Sequence, residues 1–205
     1  MQLKVRSDQS EQFEYTSAAD FPVYANPDGT LSGFPNYTTL AHWHDDLEFT
    51  VMLSGQKVCC VNGTPVTIQE GDGLFVNTRQ LHYDFSPNKA DCRYICLLVH
   101  PMLLCASPYV ERTFIEPVLK NAPPFLLLEK SGWAGKLCQL LLEAVQSLQG
   151  PAGPLRVQAM LWGIWEELYT HLPLPTSAPS PAASICTHCR AWSPSCKKTT
   201  RRRWR

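Results

Sequence analysis

Nowhere in the 205 residues is there an apolar run approaching the roughly 18 that a membrane-spanning helix requires. The opening Met1-Gln2-Leu3-Lys4-Val5-Arg6-Ser7-Asp8 also lacks the apolar stretch of a secretion signal, so a cytoplasmic location without a membrane partner is expected. The nine cysteines are an odd number, and Cys59, Cys60, Cys96 and Cys138 sit inside apolar stretches. They read as small hydrophobes of a core in a reducing compartment rather than as a disulfide framework. The last twenty residues hold no acidic side chain but seven of the 18 Lys and Arg, which leaves 11 basic against 18 acidic groups in the first 185. That acidic body has no electrostatic basis for binding nucleic acid by itself. No internal repeat interrupts the chain, and its length allows one sizeable core with appendages.

What is present divides into four stretches. Residues 1–40 are polar and irregular, with turn signals at Asn26-Pro27-Asp28-Gly29 and Gly33-Phe34-Pro35-Asn36. Residues 41–106 carry short, closely spaced strands. Leu47, Phe49, Val51 and Leu53 alternate with Glu48, Thr50 and Met52, and Asn62-Gly63 joins two strand-like runs as a tight hairpin. Tyr94–Val99 is continuously apolar, which suits a strand buried on both faces. An antiparallel sandwich or barrel follows from that pattern. Residues 107–172 read as helices: one opening at Ser107-Pro108 and bent or interrupted at Pro117, one from Ser131 to about Gln149, and one from Pro154 to about Leu172. The Ser131 helix is a candidate cover for the Leu47/Phe49/Val51/Leu53 face, and the helix with Trp162 and Trp165 a candidate homodimer face; both helices could instead complete the monomer core. Residues 173–205 are a proline-rich linker and a basic tail, expected to lack a packed structure.

The chemistry gathers at His42-Trp43-His44-Asp45-Asp46-Leu47-Glu48 and at His82. In a strand, residues two apart point to one face with Cα atoms roughly 6.5–7 Å apart, so His42, His44 and, in a continuous strand, Glu48 converge. A hairpin can return His82 beside them. Three imidazoles and a carboxylate suit zinc, nickel, iron or manganese; alternatively the same side chains hydrogen-bond within a pocket without metal. Asp45 and Asp46 read as solvated loop residues, and His100 and His171 as structural. Thr50, Arg79 and Tyr83 are further candidates for ligand binding, though they form no recognisable catalytic set, and no catalytic residue is assigned.

The run His42-x-His44-x3-Glu48-x6-Gly55 resembles the first cupin motif and Gly71…His82 the second. The glycine expected before the first histidine is Asn36, the proline and glycine expected before His82 are Asn77 and Arg79, and the final asparagine is Ser86. His-Trp-His-Asp-Asp-Leu-Glu-Phe at 42–49, Glu-Gly-Asp-Gly-Leu-Phe-Val-Asn at 70–77, Gln-Leu-His-Tyr at 80–83 and His100-Pro101-Met102-Leu103-Leu104 are similar to the sensor domain of AraC-type transcription regulators, over about residues 10–180.

That resemblance implies a mainly β, cupin-type jelly-roll barrel followed by helices that help dimerise. It implies a small-molecule effector in the barrel, with His42, His44, Glu48 and His82 as metal ligands where a metal is used. A stand-alone metal cupin enzyme, a dioxygenase or sugar isomerase, is the alternative. The DNA-binding half expected of such a regulator is missing. One Cys186-x-x-Cys189 pair and Arg201-Arg202-Arg203 make neither a structural zinc site nor a folded DNA reader. Freely back-translated, residues 186–205 admit another frame resembling the start of an AraC-type DNA-binding domain. A frameshift is therefore the expectation, together with no sequence-specific DNA binding by this chain.

Overall fold

The computed structural model describes residues 20–174 and a short antiparallel pair, β1 (Lys4–Val5) with β2 (Glu11–Gln12). Almost all of the proline-rich linker and the whole basic tail, with Cys186, Cys189 and the suspected frame change, lie outside the described residues.

Two antiparallel sheets build the barrel. The larger, in the order β10-β7-β4-β9-β3, consists of Phe125–Leu128, Gly73–Val76, Leu47–Ser54, Arg93–Val99 and Val23–Gly29. The smaller, β6-β5-β8, consists of Thr64–Gln69, Gln56–Val61 and His82–Phe85. Strand alternation then sorts the side chains. Leu47, Phe49 and Val51 of β4, with Ile95, Leu97 and Val99 of β9, face outward under the helices. Met52, Leu74, Val76 and Tyr94 face inward and meet Cys59, Val61 and Ile68 of the smaller sheet. The Tyr94–Val99 run is buried on both faces because β9 is flanked by β4 and β3 and covered on each side. At the β5–β6 hairpin, Asn62 and Gly63 take φ of 50° and 83°, the left-handed pair that a two-residue turn needs.

Helix α3 (Gly132–Ser147) lays Ala134, Leu137, Cys138, Leu141, Ala144 and Val145 on the outward face of the larger sheet. Gly73 permits the close approach: a Cβ there would meet Thr50 O at 2.8 Å and Cys138 Sγ at 2.9 Å. Helix α4 (Gly153–His171) packs on α3 through Val157, Leu161, Ile164, Trp165 and Leu168. The α3 stripe thus covers the Leu47/Phe49/Val51 face, as the strand alternation demands.

Several local readings change. Residues 1–40 are not uniformly irregular: Val23–Gly29 is an edge strand on β9, and its register shifts between Asn26 and Gly29. Pro27 has no N–H to donate, and a bulged edge is the place in a sheet that tolerates it. The helical stretch also holds a strand, Phe125–Leu128, which pairs with β7 as the opposite edge. Near Pro117 the α-helix is interrupted, as expected, though by a widened turn before the proline rather than by a break in the chain's helical path. The segment runs through α1 (Pro108–Val110), a π turn at Glu111–Ile115 and α2 (Glu116–Asn121). The widened turn lies just before the proline, where one ladder bond is lost in any case. Ser131 occupies the N-cap position of α3 without a side-chain cap bond. Trp165 is buried in its own chain and donates Nε1–H to Phe114 O at 3.3 Å, so it belongs to the monomer core. Trp162 is only partly buried. Among the described residues, no helix is long and apolar enough to cross a membrane.

Candidate metal and ligand site

His42, His44, Glu48 and His82 meet inside the barrel, all four buried, with one ligating atom of each within 4.8 Å of the others. The route differs from a single flat strand. Glu48 is the second residue of β4 and points inward with Thr50. His42 and His44 precede the strand, beyond a bend at Asp45-Asp46, and His42 forms an isolated antiparallel bridge with His82 at the start of β8. Backbone bonds between His42 and His82, at 3.0 and 2.9 Å, set the two rings 4.3 Å apart.

The three rings are held alike. Nδ1 of His42 donates to Leu40 O at 2.7 Å, that of His44 to Asp46 O at 3.0 Å, and that of His82 to Gln80 O at 2.8 Å. Each carbonyl lies two residues from its histidine. Committing Nδ1 to the backbone fixes the tautomer and presents Nε2 to the centre, the arrangement found behind metal-ligating histidines. Glu48 Oε2 stands 3.2 Å from His44 Nε2 and 3.0 Å from His82 Nε2, while Thr50 Oγ1 donates to Oε1 at 3.2 Å.

The charges follow from this packing. Burial pushes the Glu48 carboxyl up, but His82 and the hydrogen bonds from both histidines outweigh it and hold the group well below its ordinary value. Burial disfavours the charged form of His82, yet the Glu48 carboxylate raises it to about 9. His42 is lowered to about 4, first by burial and then by the charge of His82. Around a metal held at roughly 2.0–2.2 Å, tetrahedral ligating atoms stand roughly 3.3–3.6 Å apart, so the four groups, within 4.8 Å of one another, would draw together to close on an ion. Three oriented imidazoles and one carboxylate fit a divalent transition metal.

A cavity of about 260 Å³ opens on the cluster and is lined by His42, Glu48, His82, Thr39, Asp84, Tyr94 and Cys96 together with Tyr24, Asn26, Phe34 and Leu98. Deeper in, the ammonium of Lys57, itself 1% exposed, donates to Asp84 Oδ2 at 2.6 Å and sits 3.9 Å from the centre of the Tyr94 ring. Lys57 is raised because Asp84 and its neighbours outweigh burial, and burial pushes the Tyr94 hydroxyl up.

Among the other residues singled out in the sequence, Thr50 touches the site through Glu48. Arg79 and Tyr83 stand away from it. Arg79 is largely exposed and pairs with Asp45 at 2.6 Å, and Tyr83, between the inward His82 and Asp84, points outward and stacks on Phe85. Asp46 is buried rather than solvated. His100 caps the 3-10 turn at Pro101–Leu104 through Nδ1, and His171 stacks on Trp133 at 4.2 Å. Asp84, Lys57 and Tyr94 were not singled out. The period-two step from His82 to Asp84 was the available signal for the first; the lysine has none, since its burial depends on the partner strand.

The model of the AraC-like ligand binding domain matches residues 25–165, and the chain belongs to that family. It is 31% identical over 110 residues to the uncharacterized HTH-type transcriptional regulator YdeC of Bacillus subtilis (strain 168), a match covering 53% of this chain and 38% of that protein. The chain thus spans well under half the length of that regulator. Among solved structures, the AraC-like transcriptional activator CuxR aligns with a TM-score of 0.44 at 13% identity, over 67% of this chain and 47% of the other. A salicylate 1,2-dioxygenase from Pseudaminobacter salicylatoxidans aligns with a TM-score of 0.34 at 25% identity, over 37% and 21%.

Proposed function

We propose that this chain is the effector-sensing half of an AraC-type transcription regulator, acting as a binding module rather than an enzyme. The observation that carries the reading is a cavity lined by His42, Glu48 and His82 of the four-residue cluster in a chain of the AraC-like ligand-binding family. A small effector binds in that cavity. The four clustered residues would hold a divalent transition metal (zinc, nickel, iron or manganese), which would supply positive charge for a polar group of the effector. The outer face of α4, where Leu155 is 74% exposed and Trp162 only partly buried, is the proposed homodimer surface. Specific DNA binding belongs to the helix-turn-helix units of an intact parent regulator and not to this chain by itself.

Metal analysis of untagged protein, with a thermal-shift screen of small molecules, tests the reading. Stoichiometric metal and effector-dependent stabilisation without turnover are expected. Oxidative ring opening or sugar isomerisation by the metal-loaded protein would establish the enzyme alternative instead.

A further inference from the structure

Asn77 stands where the second cupin-like motif calls for proline. A proline there would have no N–H to donate and no polar side chain. Asn77 directly follows β7, is 2% exposed, and makes three hydrogen bonds. Its N–H donates to Pro124 O at 2.9 Å, and its Nδ2 donates to Val118 O in α2 at 3.0 Å. Its Oδ1 accepts from Thr78 N at 2.8 Å. Two of the three bonds therefore tie the end of β7 to α2 and to the residue before β10.

The loop that Asn77 anchors also holds the histidine cluster. Arg79 N donates to His44 O at 2.8 Å, and Gln80 Nε2 donates to Thr78 O at 2.8 Å. The Gln80 carbonyl accepts from His82 Nδ1, also at 2.8 Å. His44 and His82 thus both hang from residues 77–80. For the four clustered groups, within 4.8 Å of one another, to reach tetrahedral spacing on an ion, some must move by about an ångström. The loop must move with them. On the other side of Asn77, α2 runs back into the π turn, whose carbonyls accept bonds from α4. Thr113 O receives the Tyr169 hydroxyl at 3.5 Å, and Phe114 O receives the Trp165 indole at 3.3 Å. That turn is the compliant part of the path. Its widened spacing forgoes the regular helical ladder, and it buries the Glu111 carboxylate, whose Oε1 has no hydrogen-bond partner among the described residues.

We infer that Asn77 is a positioning residue that couples closure of the histidine cluster to α4, by way of α2 and the π turn. This inference rests on the cluster being a metal site. Zinc titrated into the chelator-treated full chain, followed by NMR of the histidine rings and tryptophan indoles, tests it. The His42, His44 and His82 rings and the Trp165 indole should shift together and saturate at one equivalent. Asn77→Ala removes the side-chain bonds, and Asn77→Asp keeps the acceptor for Thr78 N while losing the Nδ2 donor. In both, the histidine rings should still shift while the Trp165 displacement falls at least fivefold. A residue that merely stabilised the fold would leave that displacement in place. Should both variants unfold, the Asn77 side-chain amide protons of the unsubstituted chain decide: they must follow the same zinc dependence as the indole, and a still amide overturns the coupling. Histidine shifts with a still Trp165 indole, or a Trp165 shift that survives both substitutions, also overturn the coupling and leave the metal site standing. No histidine shift at millimolar zinc overturns both.

Discussion

Nε2 of His82 lies 3.0 Å from Oε2 of Glu48, and both residues are buried. One proton held between them therefore has different consequences with and without a metal in the cluster.

A metal must displace that proton. Adding zinc or nickel to chelator-treated protein at pH 7 should release protons and raise the melting temperature. Saturation at a hundred times the dissociation constant corresponds to about 2.7 kcal/mol. Glu48→Gln and His82→Gln should each abolish most of the shift. An unchanged melting temperature at millimolar metal would show that the cluster is a hydrogen-bonded pocket.

Without metal, stability should depend on pH with a defined sign. His82 is raised from 6.5 to about 9, so its contribution is complete below about 6.5 and fades as pH climbs through 9. His42 is lowered from 6.5 to about 4, so folding must overcome its protonation progressively as pH falls from 6.5 toward 4. Glu48 is lowered below 4.5, and its contribution is lost only on further acidification. Together these place the cluster's greatest contribution near pH 6.5. Chemical denaturation from pH 5 to 9.5 measures it, and His82→Gln should flatten the alkaline limb; an unaltered limb would assign the dependence elsewhere.

The Lys57–Asp84 pair should be costly to break and cheap to replace. Lys57→Met leaves a buried carboxylate unpaired and should destabilise by about 3–5 kcal/mol. Adding Asp84→Leu removes the orphaned charge and should recover most of that loss. A double-mutant cycle by urea unfolding reports the coupling; additive losses would mean the pair contributes nothing as a pair.

Two glycines should respond oppositely to alanine. Gly73→Ala drives a Cβ to within 2.8 Å of Thr50 O on β4 and 2.9 Å of Cys138 Sγ on α3, and should cost about 1–3 kcal/mol by straining the strand pair and the α3 contact. Gly163, in α4 with nothing within 4 Å of an added Cβ, should gain about 1 kcal/mol as alanine. Trp162→Glu should dissociate the proposed dimer in light scattering while the monomer stays folded, whereas Trp165→Glu should unfold it.

Legibility varied with the range of the forces involved. Asn62-Gly63 was readable because a two-residue hairpin needs positive φ at both positions, a local demand. The cupin-like motifs tolerate their missing glycines for the same reason: Asn36 and Arg79 adopt φ of 55° and 60°, so the left-handed backbone is kept while the residue differs. The alternation at 47–53 predicted a covered face, and α3 covers it. Val23–Gly29 and Phe125–Leu128 were hidden because an edge strand is defined by its neighbour, and prolines beside or within them argued locally for turns.

By itself the sequence determined the residue types and spacing of the metal-like cluster, the barrel-then-helix order and the amphipathic stripes. Each of these is a matter of period, turn geometry or side-chain chemistry within a few residues. Only the tertiary structure decided that His42 and His44 reach Glu48 around a bend, that Arg79 and Tyr83 face away, that Trp165 is core, and that Lys57 is buried against Asp84. Those outcomes depend on which strands lie across the barrel from one another, because contacts between residues as far apart as Glu48 and His82 are set by the packing of two sheets rather than by any local preference.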